Sequence, residues 1–222
     1  MWGADEHELK ATLSRAGSAA DRIAHASGFI VARLRREGID SVVVTGGAAV
    51  VLATARDFAT LDIDLVTPNA DRLDPVLQAL GFSRRGSQHI WANERLRIAV
   101  QVPASDLPPL SVTDDIEAPT GDVVTIWSVA DLMLDRLAQA VFWNANDRLA
   151  QALALRAAAG DALDLVRVRQ RAAHEGAPMP EILDAFLRLF GSLSAEGEID
   201  DPTYDELSAR FWAEIDVLRD RR

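Results

Sequence analysis

The chain contains no cysteine and a single lysine, and each scarcity narrows the chemistry open to it. Without cysteine there can be no disulfide, no thiolate metal site and no cysteine nucleophile, so a bound metal would need oxygen or histidine ligands. Because Lys10 is the only lysine, almost all of the positive charge is arginine. The planar guanidinium of arginine offers a fork of donors suited to phosphates and carboxylates.

Positive charge and long apolar runs are also scarce. The formal net charge is -11, so the average surface field repels nucleic acid and anionic membranes. A nucleic-acid partner would therefore have to meet a local basic patch. No apolar run approaches the length of about 20 residues that crosses a bilayer, and residues 1–10 are acidic and polar. We expect a cytoplasmic protein with no membrane partner.

The chain does have enough apolar material for a core. Hydrophobic residues make up 49% of the 222, which allows one large domain or two small ones. Helical spacing over residues 6–37, interrupted near Gly28, predicts one long helix or two abutting ones. Turn residues and alternation predict the elements that follow. These are strands at 39–45, 61–66, 87–91, 96–102 and 122–127, helices at 48–55 and 71–80, and a loop at 103–121.

From Ser128 onward the pattern is helical almost to the end of the chain and predicts about five helices. The expected stops are Asn144, Gly160, residues 176–180 and residues 191–202. Strands and helices mix before Ser128, so we predict an α+β chain with two domains, at 1–127 and at 128–222, of which the second is helical. The acidic composition indicates no particular oligomeric state.

Gly46 and Gly47 follow the predicted strand at 39–45 and precede a short predicted helix. Residues without a Cβ let the backbone approach a ligand closely, and amides at a helix start can receive phosphate oxygens. A tight turn between strand and helix explains the same pair without any ligand.

Asp62 and Asp64 lie two residues apart on a predicted strand, so their side chains emerge on the same face. Carboxylates this close repel each other unless a divalent cation or an arginine lies between them. Hard oxygen ligands of this kind suit Mg²⁺ that is bound together with substrate phosphates. The alternative is a solvated polar face on an edge strand.

The order in which these parts occur closely resembles the motif of the nucleotidyltransferase superfamily. It runs through a strand, the paired glycines, a helix, Arg56, Thr60 and the two aspartates. The nearest resemblance is to the abortive-infection and toxin–antitoxin nucleotidyltransferases, with the departure that three residues separate Arg56 from Thr60. The resemblance implies a mixed-sheet core flanked by helices, with an all-helical part after it.

The resemblance also implies a reaction. A nucleoside triphosphate would be held by Gly46, Gly47, Arg56 and Thr60, with Mg²⁺ on the catalytic pair Asp62 and Asp64. A hydroxyl of a tRNA or of a partner protein would attack the α-phosphorus in line, and pyrophosphate would leave. The protein would then act in a toxin–antitoxin-type system.

The resemblance also implies a third catalytic acid on a later strand with apolar neighbours, and the residue at the fitting position is Gln101. Glutamine cannot act as a base at neutral pH, although its amide oxygen can coordinate a metal weakly. Asp106 and Glu94 are the alternative acids. The second hypothesis is therefore a catalytically weakened nucleotidyltransferase-fold module that binds nucleotide or serves as an antitoxin-like partner.

The helical half carries a looser resemblance to the same family. There Arg136 would be a cation that faces the cleft and binds nucleotide, and Asp164 a downstream acid that orients a positive side chain. Arg136 could equally be an ordinary surface charge on an amphipathic helix. His89, beside Trp91 on a predicted strand, is better explained as a structural histidine than as a base-stacking or phosphate-binding residue.

Overall fold

A computed structural model describes residues 3–191 and 202–220 of the chain. Its internal contacts divide the chain into two compact units, Met1–Ser128 and Val129–Arg222. The first unit holds a mixed sheet with helices, and every element described in the second is helical. The predicted α+β class, with a mixed-sheet core and a helical C-terminal part, is confirmed. Across the described residues, no helix is both long enough and apolar enough to pass through a membrane.

The first unit begins with helices α1 (Ala4–Leu13) and α2 (Ala19–Arg36), and α3 (Gly46–Thr54) follows the first strand. A short 3-10 turn at Ala70–Arg72 leads into α4 (Leu73–Ala79). The seven strands are β1 (Val43–Thr45), β2 (Asp62–Val66), β3 (Ser83–Arg84), β4 (Ile90–Asn93), β5 (Ile98–Ala104), β6 (Thr113–Glu117) and β7 (Val123–Trp127).

The strands form one sheet in the order β3-β4-β5-β2-β1-β7-β6. The sheet is mixed, because β2 runs parallel to β5 and β1 runs parallel to β7 while the other neighbours are antiparallel. Strands β1 and β2 therefore lie at its centre, each with a neighbour on both sides. Residues on one face of β1 and β2 are therefore held in place by these two strands and by their outer neighbours, β5 and β7.

Strand β2 forms because its sequence alternates. Ile63 and Leu65 are fully buried, whereas Asp62 is exposed and Asp64 half-buried. Burying two large aliphatic side chains contributes roughly 1.5–3 kcal/mol each, which anchors one face of the strand in the core. The predicted strand with one apolar and one acidic face is confirmed, and the alternative of an edge strand is wrong.

Two predictions about local structure are wrong, and one short strand is missing from the predictions. The helix break lies at residues 14–18 rather than near Gly28, which is inside α2. A Cβ at Gly28 would lie 2.3 Å from Thr120 Oγ1, so the glycine permits close packing and does not end the helix. The predicted loop at 103–121 contains β6, whose exposed polar edge hid the strand pattern. The two-residue strand β3 was not predicted.

The second unit consists, in its described part, of five helices that end close to the predicted stops. They are α5 (Val129–Trp143), α6 (Asn146–Ala159), α7 (Leu165–Glu175), α8 (Met179–Phe190) and α9 (Pro202–Asp220). Phe186, Phe190 and Phe211 form its aromatic core, with ring centroids 5.4–6.4 Å apart. Part of the stop predicted at 191–202 lies outside the described residues.

The contact at Gly28 gives the first testable prediction. In Gly28→Val the new side chain would overlap Thr120 Oγ1 and the Cβ of Ala118, which is 2.7 Å from the Cβ position. Overpacking of this kind costs about 1–3 kcal/mol, so the urea midpoint should fall. Gly17→Val is the control, because no atom lies within 4 Å of its Cβ position. Equal midpoints for the two variants would contradict the packing.

Candidate functional site

The candidate site is a row of side chains across the three central strands. Thr45 on β1 is in register with Asp64 on β2, and Asp64 is in register with Gln101 on β5. Residues in register on neighbouring strands point to the same face of a sheet. Three of the predicted structural parts, namely the end of β1, the aspartate strand and the strand of the expected third acid, therefore meet at one place.

The two aspartates are displayed from this row by the alternation of β2. Asp62 is in register with Ala99 of β5, and its side chain shares a face with that of Asp64. Asp62 is exposed to solvent and Asp64 is half-buried. Because the residues between and after them are buried, the strand holds both carboxylates at a fixed spacing with open space beside Asp62.

Gly46, at the start of α3, lies directly against Asp64. Its φ is +67°, a conformation that favours glycine. A Cβ there would lie 1.8 Å from Asp64 Oδ2 and 2.7 Å from its Cγ, distances that no side chain could adopt. The position therefore requires glycine for two reasons. The backbone has a positive φ, and the Asp64 carboxylate fills the space that a side chain would need.

Gly47 makes the corresponding approach to Thr60. A Cβ at Gly47 would lie 2.8 Å from Thr60 Oγ1, and this hydroxyl donates to the backbone oxygen of Asp62 at 3.3 Å. The paired glycines thus pack against the aspartate strand and against the segment just before it. Five predicted site residues, Gly46, Gly47, Thr60, Asp62 and Asp64, are brought together here.

Gln101 joins the same cluster from the parallel strand β5. Its Nε2 donates a hydrogen bond to Asp64 Oδ1. The expected position of the third acid is thus beside the aspartates in space, and it supplies a neutral donor where a carboxylate would supply charge. Within residues 3–191 and 202–220, no three His, Cys, Asp or Glu side chains are placed together to hold a metal.

The two alternative acids are engaged elsewhere. Glu94 forms an ion pair with Arg85, and Asp106 accepts a hydrogen bond from Ser105 Oγ at 2.7 Å. Neither contact involves the aspartate strand. A cation at this site would therefore be held by the carboxylate oxygens of Asp62 and Asp64, which are hard donors of the kind that Mg²⁺ prefers.

Arg56 lies in the segment between α3 and β2, close in sequence to the cluster. Its backbone N–H donates to Thr54 Oγ1 at 3.3 Å, which fixes the turn after α3. The binding of phosphate by its guanidinium stays a prediction.

Arg136 belongs to the helical unit, where its side chain is buried on α5. Its guanidinium contacts Gln139 Oε1 at 3.1 Å and Asp135 Oδ2 at 3.0 Å. Burial raises the pKa of the Asp135 carboxyl above its ordinary value, against the opposing effects of Arg136 and of the hydrogen bond from Gln139. The part assigned to Arg136 in binding nucleotide stays a prediction.

Asp164 is the N-cap of α7, because its side chain accepts the backbone N–H of Arg167 at 3.0 Å. Asp131 on α5 does orient positive side chains in this unit, because it contacts Arg167 and, at 3.8 Å, Arg171 Nε. Sequence reasoning missed Asp131. The available signal was an acidic residue among buried positions of an apolar helix.

His89 has structural contacts. Its ring stacks on Trp91 with centroids 6.0 Å apart, and its Nε2 lies 3.4 Å from Asp71 Oδ1. A cavity of about 370 Å³ adjoins it and is lined by Gln88 and by Gln101. The sequence did not predict that Gln101, besides contacting Asp64, would line an open cavity.

Comparison with known proteins supports the fold. No family model and no curated protein matches the chain. A solved structure that is similar is the crystal structure of an antigenic nucleotidyltransferase-like protein from Paracoccidioides brasiliensis. The TM-score is 0.53 at 14% identity, over 75% of this chain and 92% of that one. At this identity the likeness shows a nucleotidyltransferase-like fold, and it leaves the resemblance to toxin–antitoxin enzymes as a prediction.

The contact between Gly46 and Asp64 predicts a large loss of stability in Gly46→Ala. Gly86→Ala is the matched control, because Gly86 has a similar φ of +63° and no atom within 4 Å of its Cβ position. Backbone strain alone costs about 1–2 kcal/mol. Overlap with Asp64 should add about 1–3 kcal/mol in Gly46→Ala, measured by chemical denaturation. Equal losses would contradict the contact.

The raised pKa of Asp135 predicts a pH dependence. The folded protein keeps this proton to higher pH than the unfolded chain, so stability falls as pH rises from the ordinary value of 3.8 through the raised pKa. Asp135→Asn cannot lose a proton, and its stability should decline less over this range. Urea midpoints at a series of pH values measure the difference. Parallel curves for wild type and variant would contradict the account.

Proposed function

We propose that the chain binds a nucleoside triphosphate with Mg²⁺ at the cluster of Gly46, Gly47, Asp62, Asp64 and Gln101, and transfers the nucleoside monophosphate to a hydroxyl. One observation carries the proposal. The glycine turn after β1 lies against the carboxylate of Asp64, so a phosphate at the start of α3 would be next to the aspartates. The nucleotidyltransferase-like fold supports the same reading.

The residues of the cluster would have different roles according to their position. Amides at the start of α3 would receive phosphate oxygens, helped by the positive end of the helix dipole. Asp62 and Asp64 would hold Mg²⁺, which supplies charge stabilisation for the oxygens around the phosphorus. The close packing of Gly46 fixes Asp64, so its carboxylate is already placed when substrate arrives.

The proposed reaction is the in-line transfer that the resemblance implies. The acceptor hydroxyl oxygen forms a bond to the α-phosphorus, and the bond from that phosphorus to the oxygen bridging to the β-phosphorus breaks. Pyrophosphate leaves with the bonding electron pair. The hydroxyl proton passes to solvent water, and the neutral amide of Gln101 does not accept it at neutral pH.

The acceptor that we propose is a hydroxyl of a tRNA or of a partner protein, in a toxin–antitoxin-type system. The support for this is the order of the glycine, arginine, threonine and aspartate positions along the chain. The net charge of -11 weakens attraction to RNA, so a tRNA would have to be bound through local arginines. A protein acceptor without a negative surface meets no such barrier.

A second candidate is a module that binds nucleotide without turnover. The hydrogen bond from Gln101 to Asp64 favours it, because the residue where a general base is expected is a neutral hydrogen-bond donor. In this case the fold would serve as an antitoxin-like or scaffolding partner. Binding of triphosphate would persist and label transfer would be absent.

The proposal predicts that Asp62→Asn abolishes transfer. Losing one metal-binding carboxylate removes several kcal/mol of charge stabilisation, equivalent to a fall of about 100-fold or more in rate. The measurement uses triphosphates labelled at the α-phosphate, with Mg²⁺ and either tRNA or cell lysate as acceptor. Asp40→Asn is the control, because Asp40 is also an exposed aspartate of the first unit and lies before β1.

Three outcomes distinguish the transferase from the binding module. Labelled product from wild type and from Asp40→Asn, but not from Asp62→Asn, supports the transferase. Equal labelling by Asp62→Asn contradicts the site. Mg²⁺-dependent binding of triphosphate without labelled product from any acceptor supports the binding module instead.

A further inference from the structure

The number of charged ligands at the site is small for its chemistry. Asp62 and Asp64 together carry two negative charges, which balance one divalent cation. Sites that hold two cations about 3.5–4 Å apart need additional negative ligands between and around them. Among the described residues, no third acidic or histidine side chain completes a metal-binding group with the two aspartates.

Gln101 occupies the place where such a ligand would be. It is directly in register with Asp64 on the parallel strand, and its side chain reaches the Asp64 carboxylate. A glutamate at this position would bring a third carboxylate to the same point. The backbone geometry for a larger cluster of acids is thus present, and the side chain is neutral.

The direction of the hydrogen bond matters as much as the missing charge. Gln101 presents its N–H group to Asp64 Oδ1, and an N–H group cannot coordinate a cation. The bond engages that oxygen, while Oδ2 lies on the side of Gly46. Asp64 is therefore held between a donor on one side and the glycine turn on the other.

We propose that the site takes a single divalent cation together with the triphosphate, and that Gln101 is the positioning residue that sets this number. Gln101 fixes the Asp64 carboxylate through its hydrogen bond and adds no negative ligand for a second cation. The inference deepens the proposed function and rests on it, since it concerns the metal content of the same site.

The test counts cations with Mn²⁺ as the probe. Equilibrium dialysis with the α,β-methylene analogues of ATP and GTP gives the Mn²⁺ bound per chain, and electron paramagnetic resonance shows whether bound ions are isolated or paired. Wild type should bind one Mn²⁺ per chain above the background of the Asp62→Asn, Asp64→Asn double variant. Its spectrum should be that of an isolated ion.

Changing residue 101 should change the count. Gln101→Glu should bind a second Mn²⁺ and show the broadened spectrum of a coupled pair. Gln88→Glu is the matched control, because Gln88 lines the same neighbouring cavity and is exposed, so it adds equal charge without reaching Asp64. Gln88→Glu should still bind one Mn²⁺ per chain. Gln101→Met keeps the shape but loses the donor, and should weaken Mn²⁺ binding about 10-fold while the count stays at one.

The outcomes distinguish a failure of the single-cation inference from a failure of the proposed function. A coupled pair in wild type overturns the single-cation inference and leaves nucleotide binding intact. A folded Gln101→Glu that still binds one ion overturns the role of Gln101, and Gln101→Asp repeats this arm if the glutamate variant fails to fold. If wild type binds neither Mn²⁺ nor either analogue, the proposed function itself fails.

Discussion

The close approach of the Gly46 backbone to the Asp64 carboxylate is the constraint on which the candidate site depends. A Cβ would meet Asp64 Oδ2 at 1.8 Å, so the turn, the helix start and the aspartate strand can come together only through a glycine. This contact is flanked by Thr45 and by Gln101, because both are in register with Asp64 on the neighbouring strands. The start of α3 and the carboxylates of the aspartate strand are adjacent for this reason.

The parts of this site that depend on local pattern could be predicted from the sequence. Alternation placed Asp62 and Asp64 on one face of a strand, and the glycine pair marked the start of α3. The α+β class followed from the change to continuous helical spacing after Ser128. Element bounds were less accurate, because the polar edge strand β6 carries few apolar residues and Gly28 looked like a helix stop.

What could not be predicted depends on contacts between residues distant in sequence. The donation from Gln101 to Asp64 needs the parallel pairing of β5 with β2, which no local pattern specifies. Asp131 was missed because its partners lie on α7, more than 30 residues along the chain. The sequence showed that residue 101 is not an acid; the fold shows that it is a donor held against the aspartate strand.

The most direct test of the account is an anomalous difference map from crystals grown with Mn²⁺ and an α,β-methylene triphosphate analogue. The account predicts a Mn²⁺ peak at the carboxylates of Asp62 and Asp64, with the triphosphate beside the turn of Gly46 and Gly47 at the start of α3. An analogue bound elsewhere on the chain, or a bound analogue with no peak at these carboxylates, would contradict it.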